Sequence, residues 1–257
     1  MSPSTFPAVM SALLRADASR PLVTFYDDAT GERIELSRAT YANWVSKTAG
    51  LVQDELDVQR GGLVLLDLPT HWLGTVWLGA AWTVGLTVTA DVSLADEAVL
   101  VVCAPGGLER YAGSAQDLPV VGVSLRPLGG RFVEPLPTGV IDYGAVVLAQ
   151  PDDFAAGEPP TADDPAWGVG AASSTQADLL GSAADAPLVG PGGRLLTDVN
   201  PCERSGLGTL LSPLLQEGSA VWVANPVESS WQRKYDEERA TAQLRSGDHR
   251  VDQPPRS

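Results

Sequence analysis

Positive charge is scarce in this sequence. Its 257 residues include 17 lysines and arginines against 32 aspartates and glutamates, which gives a formal net charge of −15 and an isoelectric point near 4.4. Nucleic acids and anionic membranes carry the same sign of charge and are bound by basic surfaces. The composition therefore argues against both, and we expect the protein to bind no nucleic acid and no membrane.

Cysteine and histidine are also rare. Cys103 and Cys202 lie far apart and form no CxxC motif, so the sequence predicts neither a zinc site nor a disulfide framework. His71 and His249 are the only histidines, and the pattern gives neither a carboxylate partner, so we predict no metal site and no catalytic histidine. The N-terminus lacks the basic start, apolar core and cleavage site of a signal peptide, which favours a cytoplasmic protein.

One long stretch contains no charged residue. Residues 69–90, "PTHWLGTVWLGAAWTVGLTVTA", are about as many as a membrane-spanning helix requires. However, Gly85 falls where a helix would end, and β-branched residues follow it. The stretch therefore predicts a buried helix over 71–84 and a buried strand over 86–90. Three tryptophans of that helix are assigned to the core: Trp72, Trp77 and Trp82.

Helix and strand signals alternate through the first part of the chain. Ser37 is a predicted N-cap, and apolar residues at helical spacing follow it. Apolar runs at 63–68, 98–104 and 119–125 are typical of buried parallel strands. This alternation predicts an α/β protein with a doubly wound, mostly parallel sheet.

Composition also suggests how the chain is divided. Residues 155–166, "AAGEPPTADDPA", combine prolines with acidic residues and are interpreted as a linker. We predict a first α/β lobe at 1–154, a second, smaller lobe at 167–243 that opens with a strand over 167–173, and a disordered tail at 244–257 that adds nothing to the fold.

Four patches follow one another in a recognisable order. They are "ELSRATYANWVSKTAGLV" with Thr40 and Tyr41, "RGGLVLLDLPTHWLGTVWLGAAWTVGLTVT", "TADDPAWGVGAASS", and "GGRLLTDVNPCERSGLGTLLSPLLQEGSAVWVANP". This order resembles the N-terminal domain of the adenylate-forming, acyl-CoA synthetase-like superfamily, and more narrowly a small group of uncharacterised actinobacterial proteins. The resemblance implies mostly parallel sheets flanked by helices, with no C-terminal domain, and an ATP-dependent acyl-adenylate-forming ancestry.

The phosphate loop departs from the family pattern. The family has a serine- and threonine-rich turn with glycines, followed by proline and lysine, because glycine backbone amides approach the phosphate and lysine adds a positive charge. Here Ser173, Ser174 and Thr175 supply hydroxyls, but Gln176 and Ala177 stand in the expected turn-glycine positions. The predicted helix around 174–184 then begins at Ser173 or Ser174 as N-cap. The charges also argue against phosphate binding. Asp178 would repel an anion, and the nearest downstream cation in the sequence is Arg194.

Other family parts are missing as well. Pro201 is followed by Cys202, Glu203 and Arg204, whereas the family commonly has an aromatic residue and a histidine there. We also expect the chain to lack three parts that the resemblance places further downstream. These are the glutamate motif for magnesium, the aspartate that holds the ribose, and the C-terminal domain with its catalytic lysine.

These departures lead to a hypothesis about function. We expect a catalytically degenerate relative with no catalytic residues and no required cofactor, which acts as a binding or interaction protein, for example as a homodimer. Two alternatives stay open. One is weak ATP, AMP or acyl-ligand binding at Ser173, Ser174 and Thr175, and the other is half of an acyl-CoA ligase completed by a separate chain.

Overall fold

The computed structural model describes residues 4–247 as two β-sheets with helices packed around them. The chain order of the twelve strands is β1 Pro21–Asp27, β2 Glu32–Ser37, β3 Leu63–Asp67, β4 Thr87–Thr89, β5 Leu100–Cys103, β6 Val120–Gly122, β7 Ile141–Asp142, β8 Pro165–Trp167, β9 Ser174–Thr175, β10 Arg194–Thr197, β11 Ser219–Ala224 and β12 Ala242–Leu244.

Within the described residues, eight α-helices connect and cover the strands. They are α1 Phe6–Asp17, α2 Arg38–Gly50, α3 Trp72–Val84, α4 Leu108–Tyr111, α5 Tyr143–Val146, α6 Gln176–Asp185, α7 Leu207–Leu215 and α8 Glu228–Glu237. A π-helical turn, Leu51–Glu55, prolongs α2. The N-cap predicted at Ser37 is confirmed, because its Oγ accepts a hydrogen bond from the Thr40 amide at 3.1 Å. No helix among residues 4–247 is long and apolar enough to cross a membrane.

The two sheets are mostly parallel, as predicted. The five-stranded sheet has the order β12-β10-β11-β1-β2, and only β2 runs antiparallel to its neighbour. The seven-stranded sheet has the order β7-β6-β5-β3-β4-β8-β9, and only β9 is antiparallel. Apolar strands with short helical crossovers produce this pattern, since parallel strands need a connection that returns to the starting edge.

The sheets do not follow the predicted division into lobes. The five-stranded sheet joins β1 and β2, from the predicted first lobe, to β10, β11 and β12, which lie more than 150 residues further along the chain. Strand β8 begins at Pro165, inside the predicted linker at 155–166, and pairs with β4. Sequence signals are local, whereas strand pairing depends on contacts between distant segments, so composition did not locate the boundary.

The predicted tail also begins too early. Leu244 belongs to β12 and pairs with Thr197 of β10. Arg245 donates to the Asp198 carboxylate at 3.2 Å, and its guanidinium lies 4.0 Å from the centre of the Trp231 ring. These residues therefore form part of the fold, while residues 248–257 lie outside the described part of the chain.

Helix α3 lies at the centre of the molecule. The predicted helix and the strand after it are both present, and Gly85 ends the helix in a left-handed conformation with φ of 84°. Trp72, Trp77 and Trp82 are at most 2% exposed, so their assignment to the core is confirmed. The helix also packs closely against α1. A Cβ atom at position 79 would lie only 2.8 Å from the Phe6 ring, so Gly79 leaves the space that this ring occupies.

We predict that Trp77→Ala lowers the free energy of unfolding by about 3–5 kcal/mol, since it removes a fully buried aromatic side chain. Urea denaturation followed by circular dichroism measures the change. Leu148→Ala is the control, because Leu148 is 62% exposed and its truncation should cost less than about 0.5 kcal/mol. Equal effects of the two substitutions would contradict the placement of Trp77.

Candidate functional site

The segment that resembles a phosphate loop forms a β-hairpin. Strands β8 and β9 pair antiparallel, and residues 168–173 make the turn between them. Gly168 and Gly170 have φ of 71° and 57°, a conformation that favours glycine. The predicted strand over 167–173 is therefore wrong: β8 ends at Trp167, because two left-handed glycines turn the chain.

This geometry also corrects the position of the turn. Gln176 and Ala177, which the sequence placed at the turn glycines, lie in the first turn of α6. Gln176 is 3% exposed, its Oε1 accepts from the Phe6 amide at 2.8 Å, and its Nε2 donates to the Trp82 carbonyl at 2.8 Å. Gln176 therefore ties the hairpin to α1 and α3 and has a structural role.

The three candidate hydroxyls have different surroundings. Ser173 is exposed in the turn, whereas Ser174 is buried and its Oγ accepts from the Arg204 guanidinium at 2.9 Å. Thr175 is the N-cap of α6: its Oγ1 accepts from the Asp178 amide at 3.1 Å, and the Asp178 carboxylate accepts from the Thr175 amide at 2.9 Å. The N-cap predicted at Ser173 or Ser174 is therefore wrong, since this reciprocal capping box fixes the helix start one residue later.

Charge around the turn differs from the sequence expectation. Arg194, the nearest downstream cation in the sequence, lies at the five-stranded sheet and pairs with Glu35 and Glu238. Arg204 is the cation that reaches the hairpin. The pKa of Asp178 is lowered, first by the hydrogen bond from the Thr175 amide and also by the charge of Arg204. Asp178 is thus an anion that partly offsets the only cation found beside Ser174 in the described structure.

An ion pair supports the entry to the hairpin. Asp164 is 8% exposed and accepts two hydrogen bonds from Arg60, at 2.9 and 2.5 Å. Its pKa is lowered by hydrogen bonds from Arg60 and Thr161 that outweigh the effect of burial. Since the Asp164 carbonyl also accepts from the Gln176 amide at 3.0 Å, Asp164 stabilises the base of the hairpin.

The one described histidine and the two cysteines are buried in the interior. Burial lowers the pKa of His71 to about 4 and raises the pKa of Cys103 and of Cys202 to about 12. All three are therefore uncharged at neutral pH. Within residues 4–247, no group of three or more histidine, cysteine, aspartate or glutamate side chains is arranged to hold a metal ion, and His249 lies outside that range.

Comparison with known proteins establishes the family. No protein-family model matches the chain. A Mycobacterium tuberculosis protein described as a TIGR03089 family protein is 34% identical over 238 residues, which cover 92% of this chain and 96% of the relative. The chain therefore belongs to the TIGR03089 family.

The fold is that of the N-terminal domain of adenylate-forming enzymes. The Brucella canis acyl-CoA synthetase aligns with a TM-score of 0.74 and 15% identity, covering 92% of this chain and 47% of the synthetase. The acetoacetyl-CoA synthetase of Streptomyces lividans aligns with a TM-score of 0.75 and 17% identity, covering 94% and 42%. The resemblance predicted from the four sequence patches is thus confirmed for the fold, and this chain spans about half the length of these synthetases.

We predict that Thr175→Ala lowers the free energy of unfolding by about 0.5–2 kcal/mol, because it removes the N-cap of α6. Ser173→Ala is the matched control: Ser173 is exposed and is not the cap, so its substitution should change stability by less than about 0.5 kcal/mol. Parallel urea titrations of the two variants provide the measurement. A larger loss for Ser173→Ala than for Thr175→Ala would contradict the observed cap.

Proposed function

We propose that the protein is a catalytically degenerate relative of adenylate-forming ligases that acts by binding or interaction rather than by catalysis. One observation carries the proposal: the turn at 168–173 contains no cationic side chain, and the two hydroxyls that follow it are used within the fold. Ser174 bonds Arg204, and Thr175 caps α6. A nucleoside triphosphate would have to compete with these contacts.

Magnitudes support the same conclusion. The N-terminus of α6 favours an anion by only about 0.3–1 kcal/mol at an exposed site. The Asp178 carboxylate lies in that first turn and repels an anion. A lysine beside a glycine-rich turn would add a positive charge and hydrogen bonds to the phosphate. The turn at 168–173 contains no lysine.

The test of this proposal is adenylation itself. We expect no exchange of labelled pyrophosphate into ATP above background with a panel of carboxylic acids. We also expect 1 mM Mg-ATP to leave the melting temperature unchanged. A ligand present at one hundred times its Kd stabilises by about 2.7 kcal/mol, so the second assay detects an affinity near 10 µM.

A second candidate function is residual nucleotide binding, and Arg204 is the observation that favours it. This residue is exposed and its guanidinium lies 2.9 Å from Ser174 Oγ, beside the turn. Arg204→Ala separates the two candidates, with Arg233→Ala as the control because the Arg233 side chain is 69% exposed on α8. Pyrophosphate exchange that disappears only in Arg204→Ala would overturn the non-catalytic proposal. Thermal stabilisation by Mg-ATP that disappears only in Arg204→Ala, without exchange, would establish residual nucleotide binding instead.

We further propose that the interaction partner is a second copy of the chain. Leu128 and Val133 are 71% and 77% exposed, and contact with a second copy would remove their apolar side chains from water. Sedimentation velocity between 1 and 100 µM should detect a dimer that the double variant Leu128→Ser, Val133→Ser no longer forms. A monomer throughout that range would contradict self-association.

A further inference from the structure

A cavity of about 380 Å³ lies where the carboxyl ends of β1, β10 and β11 converge. Residues 69–71, which follow β3 of the other sheet, close one side of it. The lining includes apolar side chains and a few polar ones, among them Phe25, Asp27, His71, Leu125, Asp198 and Val223. Its size is within the range of small-molecule sites.

The topology of the five-stranded sheet favours a ligand at this end. In the sheet, β11 lies on one side of β10 and β12 lies on its other side. The connection from β10 to β11 and the connection from β11 to β12 therefore run in opposite directions across the sheet. In open parallel sheets, ligands bind beyond the carboxyl ends of the strands where the strand order reverses in this way. Asp198 directly follows β10 at this position and lines the cavity.

His71 contributes a buried donor to the cavity wall. It is 3% exposed, and its Nδ1 accepts from the Leu73 amide at 3.2 Å. The imidazole is neutral at neutral pH and therefore carries one ring proton. Since Nδ1 is the acceptor, that proton is on Nε2. Nε2 is buried and has no hydrogen-bond partner. The His71 side chain lines the cavity, and Nε2 is its one hydrogen-bonding atom without a partner in the described structure.

The charges at the cavity disfavour an anionic ligand. The Asp27 carboxylate accepts from Asn225 at 2.8 Å and from the Ala29 amide at 2.9 Å, and its pKa is lowered by these hydrogen bonds. Asp198 is paired with Arg245, which is also bonded to Glu228. Two carboxylates therefore face the cavity, and the neighbouring arginine is already occupied by carboxylate partners.

We propose that this cavity binds a small uncharged molecule in which an apolar ring or short chain carries a carbonyl oxygen, and that this oxygen accepts a hydrogen bond from His71 Nε2. A carboxamide is the chemical class that fits both features, because its N–H groups suit the neighbouring carboxylates. Leu125 lines the cavity and is only partly buried, so it provides an apolar surface for the ring. The proposal does not depend on the turn at 168–173.

The experiment uses the full chain and two probes of the same shape, benzamide and benzoate. Titration is followed by the imidazole ¹⁵N and ¹H signals of His71 at pH 7. We expect benzamide to shift the Nε2–H signal with a Kd of about 10 mM or tighter, as ordinary ligand efficiency gives for nine heavy atoms. Benzoate should bind at least about threefold more weakly because of the two carboxylates.

Two variants test the assignment. His71→Asn keeps an acceptor for the Leu73 amide, since asparagine is a good N-cap, but lacks the donor at Nε2; it should weaken benzamide binding about threefold to tenfold. Ala224→Leu places a larger side chain in the cavity lining and should abolish benzamide binding. In both variants, binding is measured from the chemical shifts of backbone amides around the cavity. No response of His71 to 20 mM benzamide, equal or tighter binding of benzoate, or unchanged affinity in His71→Asn would each overturn the proposal.

Discussion

The burial of α3 is the constraint on which the rest of the structure depends. Twelve of its thirteen residues are buried, so it has no face left for solvent. Strands of both sheets and the helices α1 and α2 pack around it. Such packing requires small residues at close contacts: a Cβ on Gly74 would lie 2.6 Å from Cys202 Sγ. A helix that is apolar all round can exist only inside a structure that encloses it.

The hairpin at the candidate site is attached to this helix. Trp82 Nε1 donates to the Ala166 carbonyl at 2.9 Å, and the Trp82 carbonyl accepts from Gln176. The strand–turn–helix path is therefore maintained by packing and hydrogen bonds that need no phosphate. This explains how the strand–turn–helix path of the fold can persist in a chain whose turn carries no cation.

Local patterns predicted the elements well, and long-range contacts limited the rest. The helix at 71–84, the strand after it and the Ser37 cap were predictable because periodicity, Gly85 and a capping serine are visible within a few residues. The proximity of Arg204 to Ser174 was not predictable, because it depends on how α6 and α7 pack. The start of α6 was missed although a signal existed: Thr175 and Asp178 have the spacing of a capping box, and Gly168 and Gly170 mark a turn before it.

The central claim is that the turn at 168–173 is scaffold and does not contact nucleotide. Hydrogen–deuterium exchange of its backbone amides, with and without millimolar Mg-ATP, tests this most directly, because phosphate bound to these amides would slow their exchange. Our account predicts identical exchange under both conditions across 168–173 and the first turn of α6. Slower exchange at these amides in the presence of Mg-ATP, with the rest of the chain unchanged, would contradict it.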